Sequence, residues 1–165
     1  MNRLFYRLSL PLTLALLLGA CEEGLEPVPF QGISGTVRLI GQPPDSTEWV
    51  RLVIYRELPQ TDLDLLGFVS FSDPLDLSER EAAYVLALEP GLYRWLPVVW
   101  KKEGAPLAPE ALRAAGWYSV DGEPFAVPDT VRVTAEAETA DVDLTADFEN
   151  MLTVDELLEI LEGLQ

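Results

Sequence analysis

The side chains that could do chemistry in this chain are limited to a few kinds. Histidine is absent from the 165 residues, which excludes Ser-His-Asp and Cys-His catalysis, imidazole metal ligands and histidine proton relays. The only thiol belongs to Cys21. Carboxylates remain, and a pair such as Asp141 and Asp143 has the right chemistry for an acid and a base. Because the chain holds 28 acidic residues, any single pair is uninformative. We therefore expect no catalytic residues and no cofactor.

Cys21 follows an apolar run that ends in two small residues. The segment Leu18-Gly19-Ala20-Cys21 is typical of a lipobox, the recognition site of bacterial lipoprotein signal peptidase. Small residues before the cysteine let the peptidase approach the backbone. Cleavage at this point makes Cys21 the first residue, with a diacylglyceryl group on its thiol and usually an acyl group on its amine. We predict lipidation at Cys21.

The residues before Cys21 have the order of a signal peptide. Arg3 and Arg7 form a positive n-region, and residues 8–18 form an apolar h-region. That run is shorter than the ~20 apolar residues of a membrane-spanning helix. A short transmembrane anchor with an incidental cysteine is the alternative. We predict a signal peptide over residues 1–20, followed by a protein held in the cell envelope by lipid, at the outer membrane if the source is Gram-negative.

The charge of the chain restricts its partners. The formal net charge is −17, and removal of residues 1–20 would leave 9 basic against 28 acidic side chains. Such a surface repels nucleic acid and anionic lipid headgroups and favours cations or basic partners. Hydrophobic residues make up 48% of the chain, which indicates a folded domain rather than an acidic disordered tail. We expect a membrane contact through the lipid at Cys21 and no nucleic-acid partner.

A β-rich domain is predicted behind a short tether. Residues 21–32 contain Pro and Gly without periodicity and form the predicted lipidated tether. Over residues 33–148, apolar and polar residues alternate with period two between Gly and Pro breaks. Pro90-Gly91 suits a type II turn and predicts a hairpin between the strands on either side. The predicted strands are 35–40, 49–55, 65–71, 83–88, 92–100, 117–120, 124–127, 130–135 and 140–144.

The segment between residues 101 and 116 interrupts this alternation. It begins with the only two lysines of the chain, Lys101 and Lys102, which we place in a loop. Residues 109–115 contain strong helix formers, with Pro109 at the start and Gly116 just past the end. The segment predicts a long insertion loop that contains one short helix.

Four motifs within residues 33–148 together carry a family resemblance. They are Gly35-Thr-Val-Arg-Leu-Ile-Gly-Gln-Pro-Pro44, Val50-Arg-Leu-Val-Ile-Tyr55, Leu88-Glu-Pro-Gly-Leu-Tyr93 and Val131-Arg-Val-Thr-Ala-Glu-Ala-Glu-Thr-Ala-Asp-Val-Asp-Leu144. In this order they resemble carboxypeptidase-regulatory-like domains, which belong to the transthyretin-like or prealbumin-like sandwiches common in bacterial envelope proteins. The resemblance implies an all-β, antiparallel, Ig-like β-sandwich of about seven strands. That family is a scaffold without a shared catalytic set, so no functional residue is carried over.

The C-terminal segment, residues 149–165, changes to a helical pattern. Thr153 and Glu156 form a capping box, in which each side chain pairs with the backbone N–H of the other residue. Leu157, Leu161 and Leu164 then recur at helical spacing, with Leu158 beside them. The sequence predicts an amphipathic helix of about three turns. It leaves open whether this helix packs on its own domain or binds a partner or a second copy.

Two small-ligand sites are conceivable from residue types. Four aromatic residues lie around the insertion, and exposed rings could stack on a sugar; they are Trp95, Trp100, Trp117 and Tyr118. Five acids could supply oxygen ligands for Ca²⁺, although no EF-hand spacing is present; they are Asp62, Asp64, Asp73, Asp76 and Glu79. Burial of the rings and a solvated acidic loop are the structural alternatives. We assign no metal site.

The expected function follows from the predicted localisation and the predicted fold. We expect a non-enzymatic, lipid-anchored module of the cell envelope that binds another envelope component or supports an assembly. The alternative is a lipoprotein that binds a small ligand, carbohydrate or Ca²⁺.

Overall fold

The computed structural model describes residues 30–164. The predicted signal peptide, the lipobox with Cys21 and most of the predicted tether lie outside the described residues, and these assignments stay predictions. Within the described part, no helix has both the length and the apolar character needed to cross a membrane.

The described residues form nine β-strands, two single turns of 3-10 helix and one α-helix. The strands are β1 Gly32–Ile40, β2 Thr47–Ile54, β3 Ser70–Phe71, β4 Glu81–Ala87, β5 Gly91–Tyr93, β6 Pro97–Lys102, β7 Leu112–Trp117, β8 Val131–Val133 and β9 Leu144–Asp147. The 3-10 turns are Asp64–Leu66 and Pro109–Ala111, and helix α1 spans Val154–Gly163. The mostly β fold and the C-terminal helix predicted from the sequence are confirmed.

The strands form three sheets. β1 lies between β4 and β9 in the first sheet, and the second sheet has the order β3-β2-β6-β7. β5 and β8 form a separate pair. β1 and β9 run parallel, with Val37 opposite Leu144, whereas the other strand pairs are antiparallel. This pair departs from the predicted antiparallel arrangement because β9 reaches β1 through a long connection rather than a tight turn.

The first and second sheets each bury one apolar face in a shared core. Val50, Leu52 and Ile54 of β2 are fully buried there, as expected from period-two alternation. They belong to the same cluster as Ile33 and Val37 of β1. Every second side chain of β2 therefore packs in the core, and the side chains between them point away from it.

The hairpin predicted around Pro90-Gly91 is wrong. β4, before this turn, pairs with β1, whereas β5, after it, pairs with β8. The chain leaves the first sheet here instead of folding back on itself. The turn is held locally, because Tyr93 Oη donates a hydrogen bond to Glu89 O at 2.7 Å.

Three further strand predictions, over residues 65–71, 117–120 and 124–127, hold only in part or not at all. Within 65–71 only Ser70–Phe71 is a strand, and it is preceded by a 3-10 turn and a loop. Residues 118–127 form a turn region in which Trp117 N donates to Pro124 O and one bridge joins Ser119 to Pro128. Both regions contain the apolar residues that favour a strand. In each, however, only one or two residues form backbone pairs with a neighbouring strand or loop.

The helix predicted over residues 109–115 is wrong. Only one 3-10 turn forms, and the chain then continues as β7, which pairs with β6. The reason lies in tertiary packing: Ala114 and Ala115 are buried, and a Cβ on Gly116 would collide with Thr145 O in β9. These small residues let β7 approach β9 closely, and that contact outweighs their helix propensity.

Lys101 lies in β6 and is buried, so its predicted loop position is wrong. Its Nζ contacts Glu48 Oε2 at 2.6 Å and also donates to Lys102 O and Ala105 O. This hydrogen bond holds the pKa of Glu48 below its usual range. A buried ammonium that donates to three oxygens fixes the end of β6 and the start of the next loop.

Helix α1 packs on its own domain. Thr153 and Glu156 form the predicted capping box, with Glu156 N donating to Thr153 Oγ1 and Thr153 N donating to Glu156 Oε2. Leu157 and Leu161 are buried in a second cluster with Trp95 and Trp117. This cluster covers part of the outer face of the second sheet.

Candidate functional site

The four predicted aromatic ligands do not form an exposed platform. Trp95 and Trp117 are 1% exposed and Trp100 is 6% exposed, whereas Tyr118 is half-buried. Trp117 Nε1 donates to Ala126 O at 2.6 Å, and Trp100 Nε1 donates to Thr47 Oγ1 at 2.7 Å. Trp100 packs in the shared core, and Trp95 and Trp117 pack in the second cluster. The three tryptophan rings therefore offer no free face to a sugar.

Two of the five acids considered as Ca²⁺ ligands hold local turns. Asp64 Oδ2 accepts hydrogen bonds from Gln60 N and Thr61 N, and Asp76 Oδ1 accepts one from Ser78 N. These bonds lower the pKa of both carboxyl groups. Among residues 30–164, no group of three or more acidic, Cys or His side chains could hold a metal ion.

The acidic pair Asp141 and Asp143 is likewise structural. Asp143 Oδ1 accepts hydrogen bonds from Thr36 N and from Thr36 Oγ1, both at 2.8 Å. Asp141 adopts a left-handed backbone conformation with φ of 59°. The carboxylate of Asp143 therefore ties its own segment to β1.

An apolar groove lies on the outer face of the second sheet. Its volume is about 310 Å³, at the lower end of the range for small-molecule sites. The floor comes from β2, β6 and β7 and includes Trp49, Val53, Val99, Leu112 and Ala114. These residues line the groove because they alternate with the core residues on the same strands.

Two loops and the helix form the walls. Residues 62–71 contribute Leu65, Leu66, Phe68 and Phe71, and the loop after β6 contributes Leu107 to Pro109. The helix contributes Val154 and Leu157. We call this cavity, with its floor and walls, the outer groove.

The lip of the outer groove carries large apolar side chains in contact with solvent. Leu66 and Leu107 are 72% and 71% exposed, and Phe68 and Phe71 are 42% and 48% exposed. Single exposed apolar residues are ordinary, but a cluster around a cavity is typical of an interaction site.

One end of the outer groove is closed by buried aromatic rings. Tyr55 and Trp95 lie with ring centroids 4.8 Å apart, and Trp95 lies 6.4 Å from Trp117. Tyr55 Oη donates to Leu65 O at 2.8 Å, which ties the wall to the floor. Burial raises the pKa of Tyr55 to about 12. Trp95 Nε1 is buried and has no hydrogen-bond acceptor among residues 30–164.

Two arginines line the groove away from these rings. The Arg51 guanidinium lies 5.4 Å from the Trp49 ring centroid and 4.9 Å from that of Phe71, and its Nη1 donates to Ser72 O. Arg113 Nη1 donates to Glu110 O and Leu112 O. Ring stacking and carbonyl contacts of this kind hold a guanidinium in place.

Sequence reasoning missed the outer groove, although one signal was present. The segment Trp49 to Tyr55 is apolar at nearly every position, which indicates a strand covered on both faces. Of the predicted ligand residues, Trp95 and Asp62 line the groove. Comparison with protein-family models, with curated proteins and with solved structures gave no match for this chain.

Proposed function

We propose that this chain is a non-enzymatic, lipid-anchored binding module of the cell envelope, and that it binds through the outer groove. The observation that carries the binding proposal is the groove itself, an apolar cavity whose lip concentrates exposed side chains such as Leu66 and Leu107. The lipid anchor is inferred from the lipobox at Cys21, and localisation in the cell envelope is inferred from the lipid anchor.

We further propose that the β-domain is a sandwich of the Ig-like or prealbumin-like type. Two sheets that share one core, and a strand β2 whose alternate residues are fully buried, support this proposal. The fold serves as a scaffold, and binding takes place on its outer side.

We propose that the chain is not an enzyme because it lacks suitable catalytic side chains. The chain has no histidine, and Asp143, Asp64 and Asp76 accept hydrogen bonds from neighbouring backbone. The outer groove is lined mainly by carbon, with Asp62 as its one carboxylate among the described residues. Such a lining favours binding over acid–base catalysis.

Site-specific photo-crosslinking in cells tests the binding proposal. A photoreactive residue at Leu107, on the groove lip, should capture a defined molecule that the same residue at Val120 does not capture. Both positions are exposed, at 71% and 80%, but only Leu107 lines the groove. Capture at Leu107 should also fall when Ala108→Trp narrows the groove. Identical products from both positions, or none from Leu107, would contradict the proposal.

Membrane fractionation tests the anchor separately. The wild-type chain should sediment with membranes, and a Cys21→Ala form exported behind a signal peptide that is cleaved without lipidation should be released from them by mild salt. Sedimentation of both forms to the same extent would argue for a different attachment.

A further inference from the structure

We propose that the edge of β4 that faces away from β1 binds an extended segment of a partner protein by antiparallel strand addition, and that this segment has alternate apolar residues between two basic ends. We call this surface the β4 edge. It belongs to the first sheet and is separate from the outer groove, so the inference goes beyond the proposed binding function. Its backbone, its difference from the other sheet edges, its exposed side chains and its charge carry the assignment.

One row of backbone groups on β4 has no partner among residues 30–164. Leu39 N donates to Arg80 O at one end of the strand, and Leu88 N donates to Gln31 O at the other. Because residues of an antiparallel pair alternate in direction, the even-numbered residues of β4 are those that bond to β1. The N–H and C=O groups between them point away from β1, and no described residue pairs with them; they belong to Glu81, Ala83, Val85 and Ala87.

The other sheet edges are short or covered. β3 has two residues, and β5 and β8 have three each. On β7, Ala114 exchanges two hydrogen bonds with Leu152, and Gly116 lies against Thr145 O of β9. β4 instead runs for seven residues without a proline, a lysine or a bulge. Natural edges are usually blunted by such devices because unpaired backbone recruits other strands, so an unblunted edge suits strand addition.

The exposed side chains of β4 favour an apolar partner strand. Tyr84 and Leu86 are buried in the shared core, whereas Val85 is 65% exposed and lies between the exposed Ala83 and Ala87. Directly opposite residues on one face of a sheet pack against each other. An added strand with apolar side chains at alternate positions would therefore cover this row.

Acidic residues flank the apolar row at both ends. Glu81 precedes it and Glu89 follows it; both are exposed, and neither forms a salt bridge within residues 30–164. Arg38 lies opposite Glu81 on β1, on the side away from the edge. A basic residue at each end of the added strand would lie beside these carboxylates, and the formal charge of −17 attracts a cationic segment. A second copy of the chain would bring its own acids to the edge, so the charge favours a different, basic partner.

A designed peptide tests the assignment. The probe is Lys-Thr-Val-Thr-Val-Thr-Val-Thr-Lys with blocked ends and a fluorescent label; when extended, it has lysines and valines on one face. Its lysines have the same separation as Glu81 and Glu89. The protein is residues 21–165 with Cys21→Ala, which contains every described residue. Fluorescence anisotropy should show one peptide bound per chain, and a control peptide with glutamate for both lysines should bind about tenfold more weakly.

Amide hydrogen exchange locates the peptide on the protein. In the free chain the amides of Ala83 and Val85 should exchange rapidly, whereas that of Tyr84 should be protected because it bonds to β1. At saturation the peptide should slow exchange at Ala83 and Val85 by about tenfold or more. The amide of Val120, on an exposed turn, is the control and should not change.

Val85→Pro tests the backbone of the β4 edge. Proline at this position removes an outward N–H and loses no bond to β1, so the fold should be retained, which thermal unfolding checks. The variant should lower the affinity for the lysine peptide about tenfold or more. Val85→Thr keeps the N–H and should change the affinity by less than about threefold.

Methylated peptides give the same test without changing the protein. In the proposed register, the valine N–H groups of the peptide face β4 and the threonine N–H groups face solvent. Methylation of the three valine nitrogens should abolish binding, whereas methylation of the three threonine nitrogens should leave the affinity within about threefold.

Charge variants test the ends of the segment. Glu81→Gln combined with Glu89→Gln should lower the affinity for the lysine peptide about fivefold. Glu136→Gln combined with Glu138→Gln removes the same charge at exposed positions outside β4 and is the matched control. It should change the affinity by less than about twofold.

Several results would overturn the inference. They are rapid exchange at Ala83 and Val85 in the presence of saturating peptide, equal binding of the lysine and glutamate peptides, and full affinity of Val85→Pro. A dimer of the chain that Val85→Pro dissociates would identify a second copy as the occupant and overturn the basic partner. Crosslinking at Leu107 would still test the outer groove in each case, because β4 and the groove belong to different sheets.

Discussion

The two faces of the second sheet differ although the same strands build both. On the inner face, Val50, Leu52 and Ile54 are fully buried beneath the first sheet. On the outer face, Trp49 and Arg51 are half-buried and line a groove. The inner face is complete within the chain, whereas the outer face is covered by α1 over only part of its area.

This difference separates stability from binding at the level of single residues. Neighbouring positions on β2 point to opposite faces, so a substitution at one should change the free energy of unfolding and a substitution at the next should change affinity. The outer face also contributes to stability where α1 covers it, through Leu157 and Leu161.

The largest expected effect is on the inner face. Leu52→Ala should lower the free energy of unfolding by roughly 2–5 kcal/mol, because it removes buried methyl groups and leaves a cavity. Chemical denaturation measures this loss. The control Val85→Ala, at a site 65% exposed on β4, should change the free energy by less than about 0.5 kcal/mol. A loss at Leu52 no larger than at Val85 would remove the distinction between the faces.

The next effect concerns the covered part of the outer face. Leu161, on the packed side of α1, is fully buried. Leu161→Ala should lower the free energy of unfolding by about 2–3 kcal/mol, at the low end for such changes, because one helix can shift to refill the space. The same variant should expose Trp95 and red-shift the tryptophan emission. An unchanged emission spectrum would mean that α1 does not protect these rings in solution.

The N-cap of α1 has a smaller expected effect. Thr153→Ala removes the acceptor for Glu156 N and should lower the free energy of unfolding by about 1 kcal/mol. Thr130→Ala, at an exposed position outside any helix, is the matched control. If both variants unfold at the same denaturant concentration, the capping box contributes nothing measurable.

The smallest expected effect is a change in pH dependence at the end of β6. The Lys101 ammonium holds the pKa of Glu48 below 4.5 in the folded state, so the contact stabilises the fold above that pH. The contribution is lost as the pH falls from 4.5 through the lowered folded-state pKa. Glu48→Gln should remove this part of the pH profile, and Lys101→Met should remove the same part. Profiles parallel to the wild type for both variants would show that the pair is not coupled to folding.

Part of the fold could be predicted because it depends on local patterns. The alternation of apolar and polar residues predicted β2, and the spacing of Thr153 and Glu156 predicted where α1 begins. The hairpin at Pro90-Gly91 failed because turn residues fix a change of direction but not the partner of the next strand. The helix over residues 109–115 failed because packing of Ala114 and Gly116 against β9 is a tertiary constraint.

The candidate site was harder to predict than the fold. The position of Arg51 against the Phe71 ring depends on the pairing of β2 with β3, and no local pattern in the sequence specifies that pairing. Trp100 packs in the shared core, whereas Trp95 and Trp117 pack together in the second cluster on the other side of the sheet. Residue types alone could not show which rings would remain accessible.

The parallel pair of β1 and β9 has a consequence for the order of folding. Thr36 and Asp143, which join this region, are 107 residues apart in sequence. Contacts of such high contact order form late, because the entropy of closing the loop must be overcome first. During synthesis, one edge of β1 therefore stays unpaired until β9 has emerged. Truncation before residue 144 should leave that edge permanently available to other strands and lead to aggregation.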